Sequence, residues 1–324
     1  MIISQTPLRV SFCGGGTDLR AYYQHAPGAV TSTAINKHVY VTVNKAFEDI
    51  IRVAYSKTEI VKDASEVRHD LVREALKIVG IRTGVEITTM ADVPGKGTGL
   101  GSSSSVTVGL LNALYAFRGQ HKSAETLARE ACRIEIELVG EPIGKQDQYI
   151  AAYGGFQHIT FNPDETVFVE PVISKKGVKE ELQNNLLMFF TGLTRPANTV
   201  LSEQKKNTSS RMETLDRMKK FALDARDSVR AGDIDGIGRL LHENWELKKK
   251  LAGSISSPEI NSMYDKAKEA GAIGGKLLGA GGGGFLLFYA RPEKHKNIRK
   301  ALSSLREMEF RFEPQGSRII FVGD

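Results

Sequence analysis

The strongest chemical signal in the sequence is a glycine-rich segment that leads directly into four serines, PGKGTGLGSSSS at 94–105. Glycine lets the backbone approach an anion closely, and a helix that follows such a loop directs free N–H groups and the positive end of its dipole at the anion. Serine hydroxyls in the first helical turn add donors, and one of them can ligate Mg²⁺. A helix cap needs only one serine, so this segment strongly favours phosphate binding.

Two commoner phosphate-binding motifs are excluded. The sequence contains no G-x-x-x-x-G-K-[ST], so the serine loop is not a Walker motif. Gly279, Gly281 and Gly284 match G-x-G-x-x-G, but the run 285–290 that follows them is typical of a strand. A dinucleotide fingerprint requires a helix at that place, so the Rossmann interpretation fails.

The apolar patterning of the first half indicates which elements position the serine loop. Strands are predicted at 8–12, 38–43, 50–54 and 85–89, with a helix near 66–79. After the serines we expect a buried helix, a second helix over about 123–139, and a third from about Gly144 to Gly154-Gly155.

From about residue 156 the pattern changes, which indicates a second domain. Strand-like runs at 156–161 and 186–191 precede one long amphipathic helix over 198–231 and helices near 233–251 and 258–270. A strand, the glycine loop at 279–284, another strand, a helix near 293–305 and two final strands complete the chain. We therefore expect an α+β protein whose two domains cover residues 1–170 and 171–324.

Composition limits the class of partner. The 324 residues include 44 Lys and Arg against 38 Asp and Glu, a formal net charge of +6. The surplus is spread along the chain, and a short run such as Lys248-Lys249-Lys250 is typical of a solvated helix face. This balance suits an anionic small substrate, whereas nucleic-acid binding would need a denser basic face with interleaved aromatic residues.

The cysteines and the apolar runs bear on the compartment. Cys13 and Cys132 form neither a metal-spaced pair nor a disulfide framework, which favours a reducing environment. The N-terminal MIISQTPLRVSF lacks the apolar core of a signal peptide, and apolar runs such as 186–190 are far too short to cross a bilayer. We expect a cytoplasmic protein without membrane contact.

Three segments resemble the motifs of the GHMP kinases. PLRVSFCGGGTDL at 7–19 is similar to the first motif, the serine loop to the second, and KLLGAGGGGFLLF at 276–288 to the third, in the order the family has them. The resemblance implies an N-terminal domain like ribosomal protein S5 domain 2 and a ferredoxin-like C-terminal domain. It also implies that ATP and Mg²⁺ bind in the cleft between the two domains.

Three further segments resemble one branch of this superfamily, the heptose 7-phosphate kinases and the kinase domains of L-fucokinases. They are AINKHVYV at 34–41, GEPIGKQDQYIAAYGG at 140–155 and TGLTRPAN at 191–198, and the GGGTDL of the first motif resembles the same branch. The length favours the heptose kinase, because fucokinase is usually fused to a pyrophosphorylase. The implied reaction is phosphorylation of the anomeric hydroxyl of D-glycero-D-manno-heptose 7-phosphate, for nucleotide-activated heptose in surface polysaccharide synthesis.

Several alternatives stay open at this point. Within the enzymes they are an L-fucokinase-like and a mevalonate-type kinase, and in a different class a ligand-sensing regulator without turnover. Intact Asp147, Ser103 and Glu135 argue against the regulator. The implied partners are ATP and a small sugar phosphate, and the chain is expected to be a monomer or homodimer.

The resemblance implies catalytic roles for Asp147 and Arg9. Asp147 follows Gly144 in the first turn of a predicted helix, whose dipole favours the ionised carboxylate, and it matches the family's catalytic aspartate. Arg9 matches the basic residue of the first motif, which in relatives lies beside that aspartate and the transferring phosphate. Without the resemblance, each would be an ordinary helix-start or strand residue.

Mg²⁺ is expected at Ser103 and Glu135. Ser103 matches the serine that ligates the metal in the family, and the carboxylate partner must be Glu135 or Glu137. Glu135 lies four residues after Ala131 and three before Leu138, on the inward apolar stripe, whereas Glu137 turns away. A buried carboxylate needs a cation or hydrogen-bond donors, so a structural ion pair is the competing interpretation.

The remaining expected contacts divide into three groups. Those to the nucleotide phosphates are Gly97, Gly99, Leu100, Gly101, Ser102, Ser103 and Ser104. Those to the sugar are Asp18, Gly15, Gly16, Gly281, Gly282 and Gly283, and galactose is disfavoured because galactokinase has an acid and a histidine where this chain has Gly15 and Gly16. The candidates for the sugar's own phosphate are Lys37, Lys145 and Arg195, though each is more often a surface charge.

Overall fold

The computed structural model describes residues 1–94, 97–194 and 197–323. Gly95 and Lys96 of the serine loop and the candidate Arg195 lie outside the described residues. Two sheets organise the rest of the chain, one of eight strands and one of four. Among the described residues, every helix is too short or too polar to cross a bilayer.

The larger sheet contains strands from the first half of the chain and one from its end. Its strands are β1 (Ile2–Cys13), β2 (Gly28–Lys45), β3 (Ile51–Ala54), β4 (Thr58–Val61), β5 (Val85–Ala91), β6 (Phe156–Phe161), β7 (Val167–Pro171) and β12 (Arg318–Val322). Their order is β12-β1-β2-β5-β3-β4, and β6 joins β2 to β7. Among the described strands of this sheet, only β3 and β5 are a parallel pair.

Strand β2 is three times longer than the predicted strand at 38–43. Its second half pairs with β5 from Val39 onward, while its first half, from Gly28 to Thr33, pairs with β6. The first half is rich in Ala, Thr and Ser. These residues have a weaker strand pattern than the later β-branched run, and long-range pairing with β1 and β6 holds them extended.

Helices cover the larger sheet and carry the serine loop. They are α1 (Arg20–Tyr23), α2 (Asp70–Val79), α3 (Ser102–Phe117), α4 (Ala124–Cys132) and α5 (Gln146–Tyr153), with a 3₁₀ turn at Ala64–Glu66 and a π-helical segment at Arg133–Leu138. Helix α3 packs on β1 and β2 and is buried on most sides. The apolar run after the serines predicted this burial.

The smaller sheet has the ferredoxin-like arrangement. Its elements are α6 (Val178–Asn184), β8 (Leu186–Phe190), α7 (Ala197–Asn207), α8 (Met212–Ala231), α9 (Ile234–Lys248), α10 (Pro258–Glu269), β9 (Gly274–Leu277), β10 (Phe285–Tyr289), α11 (Pro292–Ala301) and β11 (Arg306–Glu307), with 3₁₀ turns at Thr208–Arg211 and Gly253–Ile255. The antiparallel order β11-β8-β10-β9 places the fourth strand beside the first and the third between first and second. This is the split β-α-β pattern.

The prediction of one helix over 198–231 was wrong. The chain forms α7 and α8 with a 3₁₀ turn between them. At this turn the Thr208 hydroxyl donates to the Gln204 carbonyl at 3.1 Å, and the Ser210 hydroxyl donates to the Asn207 carbonyl at 2.9 Å. These side-chain bonds compete with the regular helical ladder, so the helix is interrupted where its polar residues cluster.

The final strand joins the two halves of the chain. Strand β12 pairs with β1 in the larger sheet, although residues 318–322 fall within the predicted second domain. Helix α8 adds to this connection because it packs on β1 and β2, while its neighbour α9 packs on β9. The domain boundary at residue 170 stays a prediction. It does not account for β12, which follows residue 170 in the chain but belongs to the larger sheet.

Candidate active site

Arg9 and Asp147 form a two-bond ion pair. The Arg9 Nε donates to Asp147 Oδ1 and the Nη2 donates to Oδ2, both at 2.8 Å. A third guanidinium bond goes to the Gly99 carbonyl. Asp147 stands in the first turn of α5 and Arg9 on β1, so the fold brings together the two residues that were expected to be catalytic.

The serine loop enters α3 directly beside this pair. Gly101 has a φ of +77°, and a side chain there would place its Cβ 3.2 Å from Asp147 Oδ2 and 3.3 Å from Arg9 Cγ. The Leu100 carbonyl accepts the Arg9 N–H at 3.1 Å while the Leu100 side chain is buried. Glycine at 101 is therefore required both by the backbone conformation and by the close approach to the ion pair.

The second and third glycine motifs are in contact. A Cβ on Gly279 would lie 2.3 Å from the Cα of Gly99, and the Phe285 N–H donates to the Thr98 carbonyl at 3.2 Å. The loop from the smaller sheet thus packs backbone to backbone on the serine loop. This contact brings together two segments that lie far apart in the sequence.

Gly281, Gly282 and Gly283 pack closely on other parts of the chain. A Cβ on Gly281 would come within 2.8 Å of Ile255 Cα, and the Gly282 N–H donates to the Ile255 carbonyl at 2.8 Å. A Cβ on Gly283 would lie 2.4 Å from the Leu193 carbonyl. These contacts explain the glycines as packing residues, and their substrate contact stays a prediction.

The four serines have different partners. Ser102 shares a hydrogen bond with Thr98 at 3.2 Å, and Ser105 donates to the Pro7 carbonyl at 2.8 Å. Ser103 and Ser104 both donate to Glu135, at 3.1 and 2.8 Å. Because the Ser104 hydroxyl is used and its side chain is buried, Ser104 can offer a phosphate its backbone N–H only.

Glu135 is a fully buried carboxylate surrounded by neutral donors. Besides the two serines, Thr107 donates to it at 3.1 Å and the Gln148 amide donates to its Oε2. Burial raises the pKa of Glu135 to about 7, although the four hydrogen bonds oppose that shift. Gln148 was missed in the sequence, where its place next to Asp147 was the available signal.

The helix-phase argument for Glu135 was right about the glutamates and wrong about Leu138. Glu135 is buried and Glu137 is exposed, as expected, but Leu138 is 46% exposed. The reason is that the helix becomes π-helical at Arg133–Leu138, which widens the turn and shifts the phase of later residues. Ala131, which precedes this segment, lies inward as predicted.

The residues around Glu135 fit a divalent cation. Among the described residues no Lys, Arg or His lies within 4.0 Å of this buried carboxylate to balance its charge. The described part of the chain also contains no cluster of three His, Cys, Asp or Glu side chains for a protein-only site. A carboxylate, the Ser103 hydroxyl and ligands from a nucleotide match the way Mg²⁺ is usually held.

The expected sugar contact Asp18 is buried next to the start of α5. Its Oδ1 accepts the Gly16 N–H at 2.9 Å and its Oδ2 accepts the Gln146 N–H at 3.3 Å. Burial raises the pKa of this carboxyl group. A side chain at Gly144 would collide with Asp18, since its Cβ would be 2.0 Å from Oδ2.

Polar side chains surround Gly15 beside Asp18. The atoms nearest to a Cβ on Gly15 are Gln146 Nε2 at 3.6 Å and Ser11 Oγ at 3.9 Å. Ser11 Oγ and Gln146 Oε1 are buried without a hydrogen-bond partner among the described residues. A Cβ on Gly16, by contrast, would meet Gln204 at 2.4 Å. Ser11 and Gln146 are candidate hydroxyl-binding groups that sequence reasoning missed.

The two described candidates for a sugar-phosphate contact, Lys145 and Lys37, have different surroundings. The Lys145 ammonium pairs with Glu165 and lies 4.8 Å from the centre of the Tyr23 ring. Lys37 lines a groove of about 340 Å³ at β11 with Arg299 and Arg311, and no glycine-motif residue lines this groove. The third candidate, Arg195, is among the residues not described.

Two buried lysines were not recognised from the sequence. Lys248 is 5% exposed and Lys276 is 2% exposed, so the interpretation of Lys248 as a solvated charge was wrong. Lys248 ends α9, and Lys276 lies on β9 as the first residue of the third motif. The position of Lys276 at the start of that motif was the available local signal.

Comparison with known proteins identifies the same two halves. Residues 59–155 match the GHMP kinases N terminal domain and residues 225–307 match the GHMP kinases C terminal family. The D-glycero-alpha-D-manno-heptose 7-phosphate kinase of Campylobacter jejuni is 29% identical, over 93% of this chain and 93% of that protein. The Arabidopsis thaliana bifunctional fucokinase/GDP-fucose pyrophosphorylase is 27% identical, over 94% of this chain but 31% of that protein.

A solved structure shows the same fold along the whole chain. The D-glycero-D-manno-heptose 1-phosphate kinase from Bacteroides thetaiotaomicron superposes with a TM-score of 0.83 and 27% identity, and the alignment covers 100% of both chains. The two-domain fold implied by the three motifs is thereby confirmed.

Proposed function

The chain belongs to the GHMP kinase family, and from that membership we propose that it phosphorylates D-glycero-D-manno-heptose 7-phosphate on its anomeric hydroxyl, using ATP. The proposal is supported by the similarity to the Campylobacter heptose kinase along nearly the whole chain. It is also supported by the resemblance of the Bacteroides structure.

The observation that carries the chemistry is the two-bond pair of Arg9 and Asp147 beside Gly101. Phosphoryl transfer needs in-line positioning, neutralisation of phosphate charge, and a group that receives or steers the hydroxyl proton. In our proposal Asp147 accepts the proton of the anomeric hydroxyl. Arg9 holds both carboxylate oxygens in place, which restricts Asp147 to one orientation, and adds positive charge near the transferring group.

The nucleotide phosphates are proposed to lie at the N-terminus of α3. Gly101 precedes Ser102 and Ser103, whose backbone N–H groups are in the unpaired first turn of a 16-residue helix. The contact between Gly99 and Gly279 closes the other side of this loop. Glycine there leaves the backbone accessible to phosphate oxygens.

Mg²⁺ would be held by Ser103 and Glu135 and would neutralise phosphate charge. The chain's own contribution is to keep a carboxylate buried, oriented by Ser104, Thr107 and Gln148, at the start of the phosphate-binding helix. Hydrogen bonds of this kind fix the orientation of a carboxylate that binds a metal ion.

The sugar is proposed to bind next to Gly15. There Asp18 accepts the N–H of Gln146, the residue that precedes Asp147 in α5. The unpartnered Ser11 hydroxyl and Gln146 carbonyl oxygen border this space. Buried polar groups are normally paired, so hydroxyls of a bound sugar would satisfy them. The cytoplasmic location and the monomeric or dimeric state stay predictions.

The experiment is a coupled assay of ADP release with heptose 7-phosphate, free heptose, L-fucose and mevalonate. Heptose 7-phosphate should be the best substrate, and free heptose far poorer, because remote binding energy supports orientation at the reacting hydroxyl. Equal kcat/KM for heptose and its 7-phosphate would contradict the acceptor assignment. Preference for L-fucose would favour the second candidate function, an L-fucokinase. The similarity to the Arabidopsis fucokinase supports this candidate.

A further inference from the structure

Two ammonium groups from the second half of the chain are buried near the Arg9–Asp147 pair without a carboxylate partner. No Asp or Glu lies within 4.0 Å of Lys248 or Lys276 among the described residues. Both lie in the electrostatic range of Arg9 and Asp18, and Lys248 also in that of Asp147. Buried charges in proteins are normally paired or bind a ligand, so this arrangement needs an explanation.

The surroundings of Lys248 differ from those of Lys276 in their hydrogen bonds. An ammonium has three donors. Lys276 uses two of them, on the carbonyls of Ser11 at 2.8 Å and Phe12 at 3.0 Å, and thereby ties β9 to the end of β1. Lys248 donates to one described acceptor, the Gly279 carbonyl.

The position of that carbonyl places Lys248 at the contact between the second and third glycine motifs. Gly279 is the residue whose Cβ would touch Gly99 of the serine loop, and Gly99 in turn accepts a bond from Arg9. The Lys248 ammonium therefore lies next to the point where the two glycine loops are in contact. Burial lowers its pKa well below the ordinary value, with the charges of Lys276 and Arg9 adding to that effect. A bound anion would offset the free-energy cost of burying the charged ammonium.

We propose that Lys248 binds a phosphoryl group in the cleft and thus supplies, from the second half of the chain, a cation that complements Arg9 from the first. This inference rests on the proposed kinase function. The chemistry recognised is a phosphate monoester or a terminal phosphoryl oxygen, which can come from ATP or from the phosphorylated sugar. Lys276 is a positioning residue, since its bonds to the Ser11 and Phe12 carbonyls hold the strand end that leads into the first glycine motif.

Binding measurements separate the two sources of phosphate. Lys248→Met removes the charge in a buried place that suits an apolar chain, and Lys248→Gln keeps a donor for Gly279. Lys250→Met is the matched control, because Lys250 is exposed two residues further on. Calorimetry in the presence of Mg²⁺ would compare a non-hydrolysable ATP analogue with ADP, and heptose 7-phosphate with free heptose.

If Lys248 binds the terminal phosphoryl of ATP, both Lys248 variants should bind the ATP analogue about tenfold to a hundredfold more weakly, with ADP affinity unchanged. If it binds the sugar's phosphate, the same loss should appear for heptose 7-phosphate and not for free heptose. The control should match the unmodified protein in every titration. The nucleotide comparison does not depend on the acceptor, so it remains informative if the sugar assignment fails.

Thermal unfolding distinguishes ligand binding from a structural role. Removing a buried, unpaired charge should leave the melting temperature of Lys248→Met unchanged or raise it. Unchanged affinity for all four ligands would overturn the proposal. So would a lower melting temperature in both variants with no selective loss of either phosphorylated ligand.

Discussion

The two sides of the serine loop carry buried charges of opposite sign. On the α3 side Glu135 is surrounded by neutral donors, and no cation of the described residues forms an ion pair with it. Where the third glycine motif meets the loop, Lys248 and Lys276 bond to carbonyl groups, and no carboxylate of the described residues forms an ion pair with either. The Arg9–Asp147 pair between them is fully matched.

This difference explains how a folded chain can be prepared for a ligand with charges of both signs. Unmatched buried charge is costly, and a Mg²⁺-nucleotide would bring a cation to one side and phosphate to the other. The matched pair is oriented without help from a ligand. Neutralising a residue should therefore lower stability at the matched pair and raise it at the unmatched sites.

The largest effect is expected at the matched pair. Asp147→Asn keeps the shape but cannot accept a proton, and positioned acid–base groups contribute about 10²–10⁴-fold, so kcat should fall by that factor. The variant should also unfold more easily, because Arg9 would stay buried without its partner. Steady-state kinetics and chemical unfolding measure the two effects, with the exposed Asp49→Asn as control. Undiminished turnover would remove Asp147 from the chemistry.

The next effect concerns metal dependence. Outer partners of a metal ligand typically contribute about 10–100-fold to affinity, so Glu135→Gln should raise the Mg²⁺ concentration for half-maximal activity by at least about tenfold. Glu137→Gln, on the exposed side of the same π-helical segment, should leave it unchanged. A metal phenotype in Glu137→Gln alone would contradict the placement of the carboxylate ligand.

A third effect is a change in stability with pH. Because the folded chain raises the pKa of Glu135 from 4.5 to about 7, its contribution to stability is complete below about pH 4.5 and is lost as pH rises through about 7. In EDTA at pH 8, Glu135→Gln should be more stable than the unmodified protein by roughly 2–4 kcal/mol. The Gln148 amide can turn its unpartnered Oε1 towards the new amide.

Urea unfolding at pH 4 and pH 8 measures this difference. At pH 4 the two proteins should have nearly equal free energies of unfolding, because the carboxyl group is then protonated in both states. Excess Mg²⁺ at pH 8 should stabilise the unmodified protein more than the variant. Equal stability at both pH values would mean that the carboxylate is matched in solution, and the contrast with Arg9–Asp147 would disappear.

The smallest effect is expected at Lys145. Its charge is matched by Glu165 and its chain packs on Tyr23, so Lys145→Met should change kcat/KM for heptose 7-phosphate by less than about threefold, as surface ion pairs contribute little. Glu165→Gln is the companion variant. A selective loss with the phosphorylated sugar in Lys145→Met would place the sugar phosphate there, and would restrict Lys248 to the nucleotide.

Much of the fold and site could be predicted from local sequence. The serine loop, the buried helix after it and the inward direction of Glu135 all depend on neighbouring residues, whereas the ferredoxin-like arrangement was implied by the family resemblance. Glycine conformation, helix periodicity and burial of apolar faces act over a few residues. The failures lie where a local pattern is interrupted, as at Thr208–Arg211 and in the π-helical turn that exposes Leu138.

The sequence by itself determined which residue types could bind phosphate, and in what order they occur along the chain. Only the tertiary structure decided that Gly279 would touch Gly99, that Arg9 would pair with Asp147, and that Lys248 would be buried when its neighbour Lys250 is exposed. The local sequence pattern around a lysine at the end of an amphipathic helix is the same whether water or another domain covers that lysine. Its surroundings depend on the packing of α9 against the smaller sheet and its glycine loop, which no local pattern encodes.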